Sequence, residues 1–145
     1  MLFRSGVMVF AADNTFGSGD DSGRHAGTRI QNSALIDRFS RVIPFSFLPA
    51  DEEVKALMKR TGCNKAIATH VHSAIQVCRQ KANGGEIVDS PSIRSMIAFI
   101  KALNMLDVRE AWATTVVARQ PSEGHAVLWS VFSSCIDPSF INDNL

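Results

Sequence analysis

One stretch of this chain, GVMVFAA at 6 to 12, has the unbroken apolar, partly β-branched character of a strand buried on both faces of a parallel sheet. A strand of that kind cannot stand alone, because a single strand is not a stable sheet. The only other extended pattern is RVIPFSFLP at 41 to 49, where Phe45 and Phe47 alternate with Ser46 and Pro44 restricts the stretch to a sheet edge. Between them lie a Gly, Ser, Thr and Asp loop over 15 to 29 and a short helix predicted over 32 to 40, capped by Asn32. The fold class expected is therefore an α/β remnant followed by an α-helical bundle. The missing strands are expected to precede Met1, as in a truncated chain.

After Pro49 the pattern becomes helical throughout. ADEEVKALMKRTG has acids at its start, bases at its end and Gly62 beyond, matching both poles of a helix dipole. The next helix is predicted from the cap Asn64 to the stop Gly84, with Ile67, Val71, Ala74, Ile75 and Cys78 at helical spacing. SPSIRSMIAFIKALN follows, with Ser90 read as its cap and Pro91 as its first residue. Two more helices are predicted, one led by Asp107 with Glu110 three residues on, one starting at Ser122. Trp112 and Trp129 fall on their inner faces.

Composition removes several classes. Hydrophobic content of 46% and charged content of 20% in 145 residues are globular values, enough for one domain or parts of two. A net charge of +1 gives no field that favours nucleic acid or an acidic membrane surface. No apolar run approaches the roughly 20 residues of a membrane span, and no cleavage site ends the apolar start, so a secretory leader is not read. Cys63, Cys78 and Cys135 are odd in number and far apart, which fits reduced thiols and a cytoplasmic location. His70 and His72 complete no CxxC or HxxxH spacing, so the expectation is surface histidines and buried thiols, with no metal site.

The order AADNTFGSGDDSG, then QNSALIDRF, then a bundle containing SIRSMIAFIKAL resembles the second half of a MoxR-type AAA+ ATPase of the dynein-related branch. The likeness is strongest to the ATPase subunit of cobalt chelatase. The resemblance implies that residues 1–48 are the carboxyl-terminal part of the AAA+ α/β core and 49–145 the helical lid. It implies Mg and ATP as cofactors, a homo-oligomeric, hexameric ring, and a protein client or chelatase-type partner subunit.

Three residues of this chain match functional positions of that family. Asn14, at the end of the first strand, matches sensor 1, where a rigid amide can orient the attacking water without adding charge. Arg38 matches the arginine finger, a permanent planar cation offered to the phosphates of a neighbouring subunit, a device worth about 1000-fold or more in rate. Arg94 matches sensor 2, which reaches from the lid to the nucleotide. Here Ser92-Ile93-Arg94 replaces the family's Ser-Pro-Arg, and Arg94 sits in a first helical turn, where the dipole gives a cation no help. An anion nearby would explain it. Read without the resemblance, Asn14 is a turn former and Asp37–Arg38 an exposed helix pair.

No G-x-x-x-x-G-K-S/T loop and no apolar strand ending in Asp-Glu occurs in the sequence. A nucleotide site is thus incomplete in these residues, and the 145-residue chain by itself is expected not to hydrolyse ATP. The alternative is a non-enzymatic helical protein-interaction module derived from such an ATPase.

Overall fold

The computed structural model describes residues 10–12 and 36–145. The chain divides into two units, Met1–Phe45 and Ser46–Leu145. In the first, Ile36 closes a helical turn, its carbonyl accepting from the Phe39 N–H at 3.0 Å. Of the strand expected over 6–12, residues 10–12 carry no regular structure and the rest lies outside the described residues, as does most of the helix expected over 32–40.

The edge strand expected over 41–49 does not form. These residues are irregular and exposed, Phe45 at 94%. Among the described residues there is no strand to receive their backbone groups, and Pro44 and Pro49 each remove a donor. Alternating apolar residues make a strand only where a partner exists.

The second unit is helical among its described residues: α1 (Ala50–Thr61), α2 (Lys65–Asn83), α3 (Ile93–Ala102), α4 (Val108–Thr115), α5 (His125–Cys135) and α6 (Pro138–Asn144). Helix α1 packs on α2 and α3, α2 also on α5, and α3 on α4, while α6 rests on α2 and α4. Local chemistry sets most of the boundaries. Gly62, at φ 78°, ends α1 in the left-handed region and donates to the Met58 carbonyl at 2.9 Å. Asn64 caps α2 by accepting from the Ile67 N–H at 2.9 Å, and its amide nitrogen donates to the Asn144 carbonyl at 2.8 Å, tying the last helix to the second. Asp107 caps α4 through the Glu110 N–H at 2.8 Å.

Some boundaries differ from expectation. Ser92, not Ser90, caps α3, accepting from the Arg94 N–H at 3.2 Å, so Pro91 lies outside the helix. The Asp107 helix stops at Thr115 and gives way to a 3₁₀ turn, Val117–Arg119. The helix expected from Ser122 starts at His125, after a 3₁₀ turn over Ser122–Gly124. Helix α6 has no counterpart in the sequence reading; Asp137 caps it and Pro138 opens it.

Trp112 is the centre of the core. Its ring is edge-on to Phe99 at 5.6 Å and tilted against Phe132 at 5.8 Å, and its indole N–H donates to the Leu128 carbonyl at 3.3 Å. Leu57, Ile67, Ile75, Met96 and Ile141 belong to the same core, none above 1% exposed. Each such side chain contributes about 1.5 to 3 kcal/mol relative to exposure. Trp129 is only half-buried, with the Arg109 guanidinium 4.5 Å from its ring centre.

Candidate functional site

The three residues singled out from the sequence have different standing in the structure. Asn14 lies outside the described residues. Arg38, in the first unit, is exposed beside an exposed Asp37 in the turn after Ile36. Arg94, in the second unit, is exposed in the first turn of α3, and no carboxylate among the described residues pairs with it.

The polar chemistry inside the helical unit is elsewhere. Glu53 on α1 shares its buried face with Leu57, and its carboxylate is sealed, the residue only 1% exposed. His72, Gln76 and Arg79 on α2 share one face at helical spacing. Arg79, 4% exposed, donates Nη1 and Nη2 to the two oxygens of Glu53 at 2.6 and 2.9 Å. A planar guanidinium is suited to this two-pronged pairing, and pairing is what makes burial of either charge tolerable.

Arg79 also reaches two other stretches. Its Nε donates to the Pro91 carbonyl at 2.9 Å, just ahead of α3. Its Cζ lies 3.7 Å from the ring centre of Phe47, in the segment leading into α1. One guanidinium thus fastens Phe47, Glu53 and Pro91 to α2.

His72 completes the cluster, with Nε2 3.0 Å from Glu53 Oε2 and 2.9 Å from the Gln76 amide nitrogen. A proton on Nε2 makes His72 a donor to Glu53; a proton on Nδ1 makes Nε2 an acceptor from Gln76. The carboxylate favours the first. The expectation of surface histidines is thereby corrected: His72 is 6% exposed, because a buried carboxylate needs donors. His70 is half-buried, its Nε2 accepting from the Asp137 N–H at 3.2 Å and its ring 4.8 Å from Phe140. The sequence signal for this network was an Arg inside the apolar stripe of α2 and a Glu on the face of Leu57.

The three cysteines are free; Cys78 is buried and the other two half-buried. Burial, and secondarily the nearby Cys135, pushes the Cys78 thiol up to about 12. Among the described residues no group of three His, Cys, Asp or Glu side chains could hold a metal ion. Two open grooves, of about 570 and 520 Å³, run along α2 past Lys65, Thr69 and Ser73, and neither includes Arg94. No described helix is long and apolar enough to cross a membrane.

No family model matches the chain. A stretch of 46 residues is 46% identical to the aerobic cobaltochelatase subunit CobS of Sinorhizobium sp. The matched stretch is 32% of this chain and 14% of that protein's length.

Proposed function

We propose that this chain is part of a MoxR-type AAA+ ATPase, the end of its α/β core with its helical lid, in a ring that couples Mg-ATP hydrolysis to remodelling or metal insertion by a chelatase-type partner. The observation that carries the reading is the likeness, at 46% identity over 46 residues, to a cobaltochelatase subunit. The helical fold of Ser46–Leu145 is compatible with a lid.

The residues present fit part of a nucleotide site. Arg94 offers an exposed guanidinium with no acidic partner among the described residues, as a phosphate contact requires. Arg38 is likewise exposed, as a group serving a neighbouring subunit must be. A carboxylate cluster for Mg is absent among the described residues, and the sequence lacks the phosphate loop, so other parts of the ATPase would hold the ion. In this reading Asn14 orients the attacking water, Arg38 offsets charge on the transferring phosphoryl group from the next protomer, and Arg94 binds the phosphates from the lid.

Hydrolysis by the protein expressed from the whole reading frame is the test. Arg38→Ala should abolish turnover and leave ATP binding intact; equal turnover in variant and parent removes Arg38 from the mechanism. The alternative, a non-enzymatic helical interaction module, draws on one observation: the helical unit closes a core of its own around Trp112. A whole-frame protein without ATP turnover, yet retaining a partner on gel filtration, would favour it.

A further inference from the structure

The start of α3 has two possible registers, and one buried side chain separates them. The sequence Ser90-Pro91-Ser92 offers a cap residue at either end, and Pro91 is well suited to the first helical position behind a Ser90 cap. In that longer helix the Ser95 N–H would donate to the Pro91 carbonyl and the Arg94 N–H to the Ser90 carbonyl, as the α-helical ladder requires. The structure takes the shorter helix. The Ser95 N–H donates to the Ser92 carbonyl at 3.0 Å, a tightened turn, and the Arg94 N–H to the Ser92 hydroxyl at 3.2 Å.

The shorter register has a visible cost. The Ser90 hydroxyl is buried with no hydrogen-bond partner, whereas as a cap it would accept from the first turn. The residue ahead of the short register is held from outside the helix, by Arg79. Its Nε–H donates to the Pro91 carbonyl at 2.9 Å and ties that residue to α2, and Glu53 and Phe47 fix the guanidinium that delivers the bond.

We infer that Arg79 is a positioning residue for Arg94: by tethering the Pro91 carbonyl to α2 it holds α3 in its short register, with Arg94 in the open first turn. In the long register Arg94 would sit a further two residues inside the helix, behind a closed turn. The consequence for phosphate binding rests on the proposed role of Arg94; the register itself does not. A buried Arg–Glu pair is a poor source of net stability compared with apolar side chains of the same volume, so fixing a register is a role that gives it a reason.

Amide hydrogen exchange on the 145-residue chain tests this without nucleotide, so its failure and failure of the ATPase reading are told apart. Arg79→Lys keeps the charge facing Glu53 but loses the Nε–H. The Arg94 and Ser95 amides, trading first-turn partners for ladder bonds further inside the helix, should then exchange more slowly, by roughly 2- to 10-fold. Amides of α4 and α5 should not change, and adding Ser90→Ala should restore parental rates. Unchanged rates at Arg94 and Ser95, or faster rates there with the whole bundle, overturn the proposal. Ser92→Ala gives a second arm that leaves the buried pair untouched. With Arg79 holding the register, the Arg94 amide loses its hydroxyl acceptor and exchanges faster; an unchanged or slower amide overturns the proposal.

Discussion

Arg79 and Glu53 meet as a two-pronged ion pair inside the helical unit, the guanidinium donating at 2.6 and 2.9 Å to both carboxylate oxygens, with each residue less than 5% exposed. Neither charge has water to fall back on. The pair joins α1 to α2, and removing one member leaves the other stranded.

Glu53→Ala should therefore destabilise the chain by about 3 to 5 kcal/mol, the usual cost of leaving a buried charge unpaired. Replacing both members, Glu53→Leu with Arg79→Met, should restore most of that loss. Urea unfolding of the three proteins reads the comparison. Equal destabilisation in the single and double variants would show that lost packing, not an unpaired charge, sets the cost. Lys55→Ala is the control: its contacts with Asp51 and Glu52, at 3.3 and 2.9 Å, are exposed, and the midpoint should not move.

The Cys78 thiol should resist alkylation in the folded protein at pH 8, while Cys63 and Cys135, half-buried, react first. Burial raises it from the ordinary 9.0 to about 12, so the folded state keeps a proton that the unfolded state releases between those values. Below that window the thiol is protonated in both states and adds no pH dependence. Within it, stability falls as pH rises, by up to about 1.4 kcal/mol per pH unit. Denaturation curves across the window should be steeper in pH for the parent than for Cys78→Ala. Parallel curves would contradict the shift.

Two glycines that follow helices should respond in opposite directions. At Gly62 a Cβ would meet nothing within 4 Å, yet φ is +78°, so Gly62→Ala carries backbone strain alone, about 1 to 2 kcal/mol. At Gly84, φ is −79° and a Cβ would sit 3.5 Å from the Gln80 carbonyl oxygen, an ordinary contact. Gly84→Ala should be neutral or stabilising by up to about 1 kcal/mol. Thermal melts of the two variants decide it, and equal losses would mean that the left-handed conformation at Gly62 is not what ends α1.

What the sequence makes legible here is what short range decides. Asn64 and Asp107 announce their caps, and Gly62 its stop, because the groups they satisfy lie within a few residues. The start of α3 is not decided locally, because Ser90 and Ser92 are equally good caps, and a guanidinium from α2 holds the carbonyl between them. Glu53 was hidden for a related reason. In the run Asp51-Glu52-Glu53 all three acids suit the dipole, and the place of Glu53 one turn before Leu57 singles it out only when α2 is seen packed on that face. Residues 41–49 had the right alternation for a strand but no described partner. Helix α6 could have been found from Asp137-Pro138, a cap followed by a proline at the first position. Of the proposed nucleotide contacts, Asn14 lies outside the described residues, while Arg38 and Arg94 are each exposed in their own unit.

The proposed sharing of one nucleotide site by Asn14 and an Arg38 from the neighbouring protomer is tested most directly by mixing subunits of the protein expressed from the whole reading frame. Asn14→Ala rings and Arg38→Ala rings should each be inactive in ATP hydrolysis. When the two are dissociated and reassembled together, some interfaces pair an intact Asn14 with an intact Arg38 from next door, and turnover should return in part. Mixed rings that assemble yet stay as inactive as either parent would contradict the proposed site.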